Sequence, residues 1–512
     1  MAEVKMMKEI FRKWRAYLPI FIILLIASIL RLYRISDYMT FLGDEGRDAL
    51  VWLRMVRDGK FTLIGPMTSI GNMYLGPLYY YLMLPFFVLF FLSPVGPAVG
   101  VALFSLATIF LLWWIGRKWF DEKVGLIAAL LYAISPVVII YSRSSWNPNV
   151  MPFFSLLTIW GVWQFWQKGN FFWLPGVGIT LSFALQSHYL GLLLIPVVLA
   201  FQTVTLLNLF KKKQELKKFI LLFAICYLLF AILTILPLVW FDLRHNFLNY
   251  QSFHKFFTER QTTVNLKIYK AIPNLWPLWE MMVTRLLVAK EIVWGKITAL
   301  GLILGAVLFL WRSDLLRGRT SSGRRALVLI LTWLVVGFLG MGLYKQHIYD
   351  HYFGFLFPAL FLLAGVVLGE LLSQKKIRKV AFVICLLLLV ILNFKNSPLR
   401  DPPNFQLKRV REVDQKIMVE SENLPFNLGL IAKQNYDAGY SFFLELWRRK
   451  PVAIEPLKAK ETITGQLFVI CEDPVCEPIN HPKAEIANFG WSRIDKEWEI
   501  AGVKLFKLVH TQ

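Results

Sequence analysis

Apolar runs of about 15–22 residues recur along most of this chain, and a helix of that length crosses the hydrocarbon core of a bilayer. A soluble chain with 57% hydrophobic and only 17% charged residues could not cover so much apolar surface with its polar remainder. The sequence therefore describes a polytopic α-helical membrane protein.

The formal charge of +23 does not indicate a nucleic-acid partner. Lys and Arg cluster in short loops between apolar runs, the positive-inside signature of membrane topology. The stretch with Lys5, Lys8, Arg12, Lys13 and Arg15 places the N-terminus in the cytoplasm. No small-residue cleavage site follows Tyr17 to Leu32, which reads as an uncleaved anchor. Segment 75–92 is expected to lie on, or dip into, the outer leaflet. The loops "RK" (Arg117, Lys118), "FKKKQELKK", "RSDLLRGRTSSGRR" and "SQKKIRK" then all become cytoplasmic.

This threading gives about eleven spans, near 17–33, 97–116, 124–141, 150–167, 172–187, 189–207, 219–241, 297–311, 326–344, 351–371 and 380–395. A membrane part, 1–395, carries a long first outer loop (34–96), a short one around "YSRSSWNPN" and a large one (242–295). The tail, 396–512, has β-like stretches ("LGLIAK", "QLFVICED", "VKLFKLV") and a helical "DAGYSFFLELWRRK". A small extracytoplasmic α/β domain is expected there. Cys471 and Cys476 would form a local disulfide if that domain faces an oxidising space, whereas Cys226 and Cys385 lie in apolar runs.

Asp44 and Glu45 stand between Gly43 and Gly46, and apolar Ala49, Leu50, Leu53 and Val56 follow at helical spacing. Carboxylates at the start of such a surface helix meet its unsatisfied N–H groups and positive dipole end. Helix capping would account for Asp44 alone, but less well for a glycine-flanked pair. A carboxylate held there could take a proton from an incoming hydroxyl or amine. Arg143, at the outer end of a span, either snorkels or meets a phosphate at headgroup depth. His188, Arg244, His245, Tyr344, Lys345, His347 and His351 also fall on the outer side, where polar groups at the bilayer edge are candidates for a binding pocket. His347 and His351 are four residues apart, as metal ligands on one helix face would be, but this spacing is common by chance.

The order of "GDE", "YLGPLYYYLMLP" and "GRKWFDEKVGLIAALLYAISPVVIIYSR", followed by further spans and a polar tail, resembles the GT-C superfamily of membrane glycosyltransferases. Its protein O-mannosyltransferase and aminoarabinose-transferase-like group is the nearest in pattern. The resemblance implies transfer of one sugar from a polyprenyl-phosphate donor to a lipid, glycan or protein acceptor, with inversion. It implies Asp44 as base or acceptor-orienting group with Glu45 beside it, and Arg143 at the donor phosphate. By position rather than motif, Lys345 and His351 are further phosphate candidates. No "WWD" occurs, and the second outer loop offers Asn147 and Asn149 rather than an acid. Both departures point away from an oligosaccharyltransferase and toward transfer without a metal or other cofactor. The rival reading is a transporter or a flippase for lipid-linked sugars, which would place ionisable groups in mid-membrane.

Overall fold

The computed structural model describes residues 2–68, 73–212, 215–259, 263–315, 321–372, 376–473 and 475–511, with side chains from residue 17 except 212, 312–315 and 321. The basic side chains before residue 17, and parts of the three basic loops around 213, 317 and 374, lie outside the described residues.

The chain begins with α1 (Ala2–Leu32), α2 (Ile35–Tyr38), α3 (Gly43–Asp58), α4 (Leu78–Leu89), α5 (Val95–Trp119) and α6 (Glu122–Ile134). It continues through α7 (Pro136–Tyr141), α8 (Met151–Gln167), α9 (Trp173–Ser187), α10 (Leu194–Lys212), α11 (Leu216–Phe230) and α12 (Leu236–Arg244). Then come α13 (Leu248–Thr258), α14 (Ile272–Leu286), α15 (Ile292–Leu315), α16 (Ser321–Gly342), α17 (Phe357–Leu372) and α18 (Lys376–Lys395).

Every expected span is helical. Among the described residues, 7 helices are long and apolar enough to cross a membrane: Val95–Trp119, Tyr189–Lys211, Leu216–Arg244, Ile292–Trp311, Ser322–Gly342, Asp350–Leu372 and Lys376–Arg400. The remaining expected spans lie in α6–α7, α8 and α9, which are shorter helices, and in the apolar part of α1, Tyr17–Leu32. Local chemistry sets several of the breaks. Asp121 caps α6 by accepting from Val124 N at 2.9 Å. Pro136 has no N–H to continue the ladder, so α6 stops and α7 starts anew. With 12 residues, α4 is too short to span, as expected for segment 75–92.

Small residues let the helices meet at backbone distance. A Cβ on Gly116 of α5 would run into Gly125 of α6, and one on Gly125 into the backbone of Trp113. Helix α17 runs through the centre, buried almost throughout, with Gly365 against Val124 and Ala128 of α6. Faces of α15 and α18 remain apolar and exposed (Leu300, Leu304, Leu308; Ile384, Leu387, Ile391), as helices facing lipid would be.

After α18 come α19 (Gln406–Glu420), β1 (Asn427–Ile431), α20 (Ala438–Leu446), α21 (Ala459–Thr462), β2 (Gln466–Cys471), α22 (Ala484–Phe489), β3 (Ser492–Ile500) and β4 (Val503–His510). The sheet has the order β1-β2-β4-β3, with β1 and β2 parallel and the other pairs antiparallel. Ala501 and Gly502, both at positive φ, form the tight turn between β3 and β4. Three strands and α20 match the expected stretches; α19, α21, α22 and β3 are additional. Alternation sorts β2: Phe468 and Ile470 join the core shared with the helices, whereas Leu467, Val469 and Cys471 build a smaller one with Phe506 and Leu508. Cys471 and Cys476 are joined as a disulfide.

This C-terminal domain is fastened to the segment before α3 from two sides. Phe442 and Phe443 of α20 pack on Phe41, with ring centroids 6.0 and 6.1 Å apart. The connection entering α19 donates Phe405 N to Asp37 O at 2.9 Å, and Gln406 Oε1 accepts Phe41 N at 2.9 Å.

Candidate active site

The acid pair occupies the first turn of α3, where it divides into two roles. Glu45 is buried and turns back to the chain, its Oε2 accepting Leu42 N at 3.1 Å. The capping role considered for Asp44 therefore belongs to Glu45. Burial pushes the Glu45 carboxyl up to about 7, against the opposing hydrogen bond from Leu42. Asp44 points the other way, with its side chain 41% exposed.

One turn on, Arg47 links Asp44 to a third acid. Its Nη1 donates to Asp44 Oδ1 at 2.9 Å, while Nε and Nη2 donate to Asp48 Oδ1 at 3.0 and 2.8 Å. The spacing of 44, 47 and 48 places all three on one helix face. Asp48 is fully buried and also accepts from Tyr80 Oη of α4 at 2.9 Å; its Oδ2 is buried without a hydrogen-bond partner. Burial pushes Asp48 up to about 6, although Arg47 and Tyr80 favour its charged form. Helix α3 is fixed on α4 by Trp52, which donates to Tyr80 O at 3.0 Å and packs among Tyr79, Tyr80 and Phe87.

The C-terminal domain completes this cluster. Tyr436 Oη donates to Asp44 Oδ1 at 2.8 Å, and Asn435 Oδ1 accepts Gly43 N at 2.8 Å. Both contacts on Asp44 fall on Oδ1; its Oδ2 accepts no hydrogen bond from the described residues.

The other candidate residues are distributed unevenly. Arg143 is buried, with Nη1 and Nη2 donating to Leu30 O and Tyr33 O, each at 2.7 Å, and its guanidinium over the Tyr38 ring. It thus satisfies carbonyls at the end of α1 that the helix leaves unpaired. His188 and His351 come together, their ring centroids 5.7 Å apart, although 163 positions separate them in sequence. His351 lies 4.4 Å from the Trp146 ring, His188 lies 4.8 Å from Tyr352, and Tyr344 lies 6.1 Å from Tyr352. His347 joins at the edge, 4.5 Å from Tyr349. Thr40 N, shortly before α3, donates to Ser144 Oγ at 2.9 Å, which sets this row beside the approach to the acid cluster. Arg244 and His245 stay exposed at the end of α12, stacked on their own neighbours Trp240 and Phe241.

Tyr344 and Lys345 also line a cavity of about 370 Å³ with Lys270 and Asn274. An apolar cavity of about 420 Å³ lies between α14, α15 and α16, walled by Trp276, Trp279, Leu302, Ala306, Leu334 and Phe338. Among the described residues no three His, Cys, Asp or Glu side chains converge as metal ligands. Asn147 and Asn149 donate to Ser187 O and Ser144 O.

Sequence reasoning missed Arg47 and Asp48 as partners of Asp44, although their spacing was the signal. It also missed Arg285, paired with Asp350 at 3.3 Å beside His351. Tyr436 carried no signal, because it lies 392 positions from Asp44.

Residues 74–240 match the family model described as dolichyl-phosphate-mannose-protein mannosyltransferase. Comparison with curated proteins gives no match. Among solved structures, the chain superposes on ArnT from Cupriavidus metallidurans bound to undecaprenyl phosphate, with TM-score 0.60 and 12% identity, covering 95% of this chain and 97% of that one. It also superposes on the archaeal oligosaccharyltransferase AglB from Archaeoglobus fulgidus, in complex with an inhibitory peptide and a dolichol-phosphate. There the TM-score is 0.53 and the identity 14%, over 90% of this chain and 70% of that one. The fold is that of the GT-C glycosyltransferases, as the sequence pattern implied.

Proposed function

We propose that this chain transfers a single sugar from a polyprenyl-phosphate donor to a hydroxyl or amine of a lipid, glycan or protein, at the outer face of the cytoplasmic membrane. The observation that carries this reading is the Asp44 carboxylate, held through Oδ1 by Arg47 and Tyr436 and half-exposed beyond. Its Oδ2 takes the acceptor's proton as the acceptor oxygen or nitrogen bonds to the anomeric carbon. The bond from that carbon to the phosphate oxygen breaks, and its electron pair leaves with the polyprenyl phosphate. Attack opposite the leaving group inverts the anomeric centre. A phosphate leaving group already carries its charge in a stable form, so nearby cations serve it better than a strong acid does. No step requires a metal or other cofactor.

The two cavities along α14 and α16 support a lipid-phosphate donor. Lys270, Tyr344 and Lys345 line the polar one, and the apolar one has walls suited to an isoprenoid. His351 packs on Trp146, and Arg285 pairs with Asp350 next to it. In this reading Arg143 acts through the backbone it holds, and His188, His347, Arg244 and His245 border the route of sugar or acceptor. The mannosyltransferase family match and the prenyl-phosphate-bound neighbours support the same donor class. A transporter would need ionisable groups inside its spans. Among the described residues, the buried charges of the membrane part are Arg31, Glu45, Asp48, Arg143 and Asp242, all in α3 or at helix ends.

Asp44→Asn tests the reading in purified, detergent-solubilised protein supplied with a labelled polyprenyl-phosphate sugar and a membrane-lipid extract. Turnover should fall by about 10²–10⁴-fold, the usual worth of a positioned base, while donor binding survives. Wild-type turnover by the variant would remove Asp44 from the chemistry.

A further inference from the structure

The glycines flanking the acid pair have a purpose that neither capping nor flexibility explains. Neither Gly43 nor Gly46 has the positive φ that glycine alone tolerates. Instead, a Cβ on Gly43 would overlap the ring of Tyr436, and one on Gly46 would overlap the backbone of Ala438 and Gly439. The glycines let the start of α20 and the turn before it press directly onto the first turn of α3.

That turn carries the groups that fix Asp44. Asn435 accepts Gly43 N with its Oδ1 and donates its Nδ2 to both Glu472 oxygens, at 2.9 and 3.0 Å. Tyr440 Oη donates to the same Glu472 at 2.8 Å. Glu472 follows Cys471, whose disulfide to Cys476 closes the loop after β2. The position of the 435–436 turn is thus set by the sheet domain, and its outermost member, Tyr436 Oη, reaches Asp44.

We infer that the C-terminal domain is part of the catalytic apparatus, with Tyr436 as a positioning residue that holds Asp44 Oδ1 and so aims Oδ2 at the acceptor. Arg47 alone would tether Asp44 from one side, within its own helix. Tyr436 supplies the second, non-local anchor, which confines the carboxylate to one rotamer. The inference rests on the reading of Asp44 as the base.

The experiment compares Tyr436→Phe with wild type and with Asp44→Asn in the full-length protein, measuring kcat, donor KM and melting temperature. Phenylalanine keeps the ring that packs on Gly43 and removes only the hydroxyl. The expected result is a fall of roughly tenfold in kcat, the order of one hydrogen bond to a charged group, with donor KM and melting temperature unchanged. Wild-type kcat in Tyr436→Phe, or a loss that appears only as a lower melting temperature or a higher donor KM, overturns the inference. If Asp44→Asn is inert in the same assay, the base assignment survives that failure. Should Asp44→Asn itself turn over normally, the base assignment and this inference fall together.

Discussion

The acid cluster of α3 and the histidine cluster around His351 are neighbours, bridged by the Thr40–Ser144 hydrogen bond and Trp146, yet they hold their polar groups in different ways. In the first, charges are paired: Tyr80, Asp48, Arg47, Asp44 and Tyr436 form one hydrogen-bonded chain from α4 through α3 to the C-terminal domain. In the second, the rings of His188, His351, Trp146, Tyr349 and Tyr352 pack against one another, mostly tilted or edge to face, and shape does most of the holding. A paired network fails when one member is removed, because its partner keeps a charge it cannot hydrate. A cluster of packed rings tolerates exchange of one ring for another of similar size.

Substitutions can break this contrast. Asp48→Ala should have the largest effect on stability, about 1–3 kcal/mol, since buried Tyr80 loses its acceptor and Arg47 one of its two carboxylates. Thermal unfolding in one detergent would read it, and a loss below about 1 kcal/mol would mean that water replaces the carboxylate.

Glu45→Gln should have a smaller effect that depends on pH. In the folded protein the Glu45 carboxyl is raised from 4.5 to about 7, so folding favours its protonated form. Its ionisation therefore costs stability progressively as pH rises from about 4.5 to about 7, and lowering the pH restores it. Glutamine keeps the acceptor oxygen without the charge. Relative to wild type, the variant should gain stability across that window and differ little below it; a pH-independent difference would refute the assignment of Glu45 as a buried, neutral-leaning cap. Smallest of the three, His351→Phe should change stability by less than about 1.5 kcal/mol, as a ring-for-ring exchange does. Donor affinity measured alongside sharpens the contrast, because a drop with intact folding would give His351 a contact with the donor.

Much of the bundle was legible in the sequence because lipid imposes a length and a polarity on each segment. The apolar runs coincide with the long apolar helices among the described residues, and the phase of the basic loops marked the run at 75–92, which carries α4, as different. In the tail, α19 passed unnoticed although Val410, Val413 and Ile417 face inward at helical spacing. Strand β3 is largely exposed and lacks the apolar alternation that would announce it. At the site, "GDE" pointed to the first turn of α3, but an adjacent pair cannot say which acid faces inward. That depends on the rotation of α3 about its axis, fixed by Trp52 on α4 and by α20 on the other side. The meetings of Asp44 with Tyr436 and of His188 with His351 join residues that share no local pattern, so they emerge only when the chain is folded.

The docking of the 435–436 turn on Gly43 also has a consequence in time. Ribosomes deliver α3 early and the sheet domain last, with nearly four hundred residues made between them. A chain still under synthesis, or one truncated after α18, has Asp44 and Arg47 but no Tyr436. The second anchor of Asp44 therefore arrives only when the sheet domain has folded back onto α3.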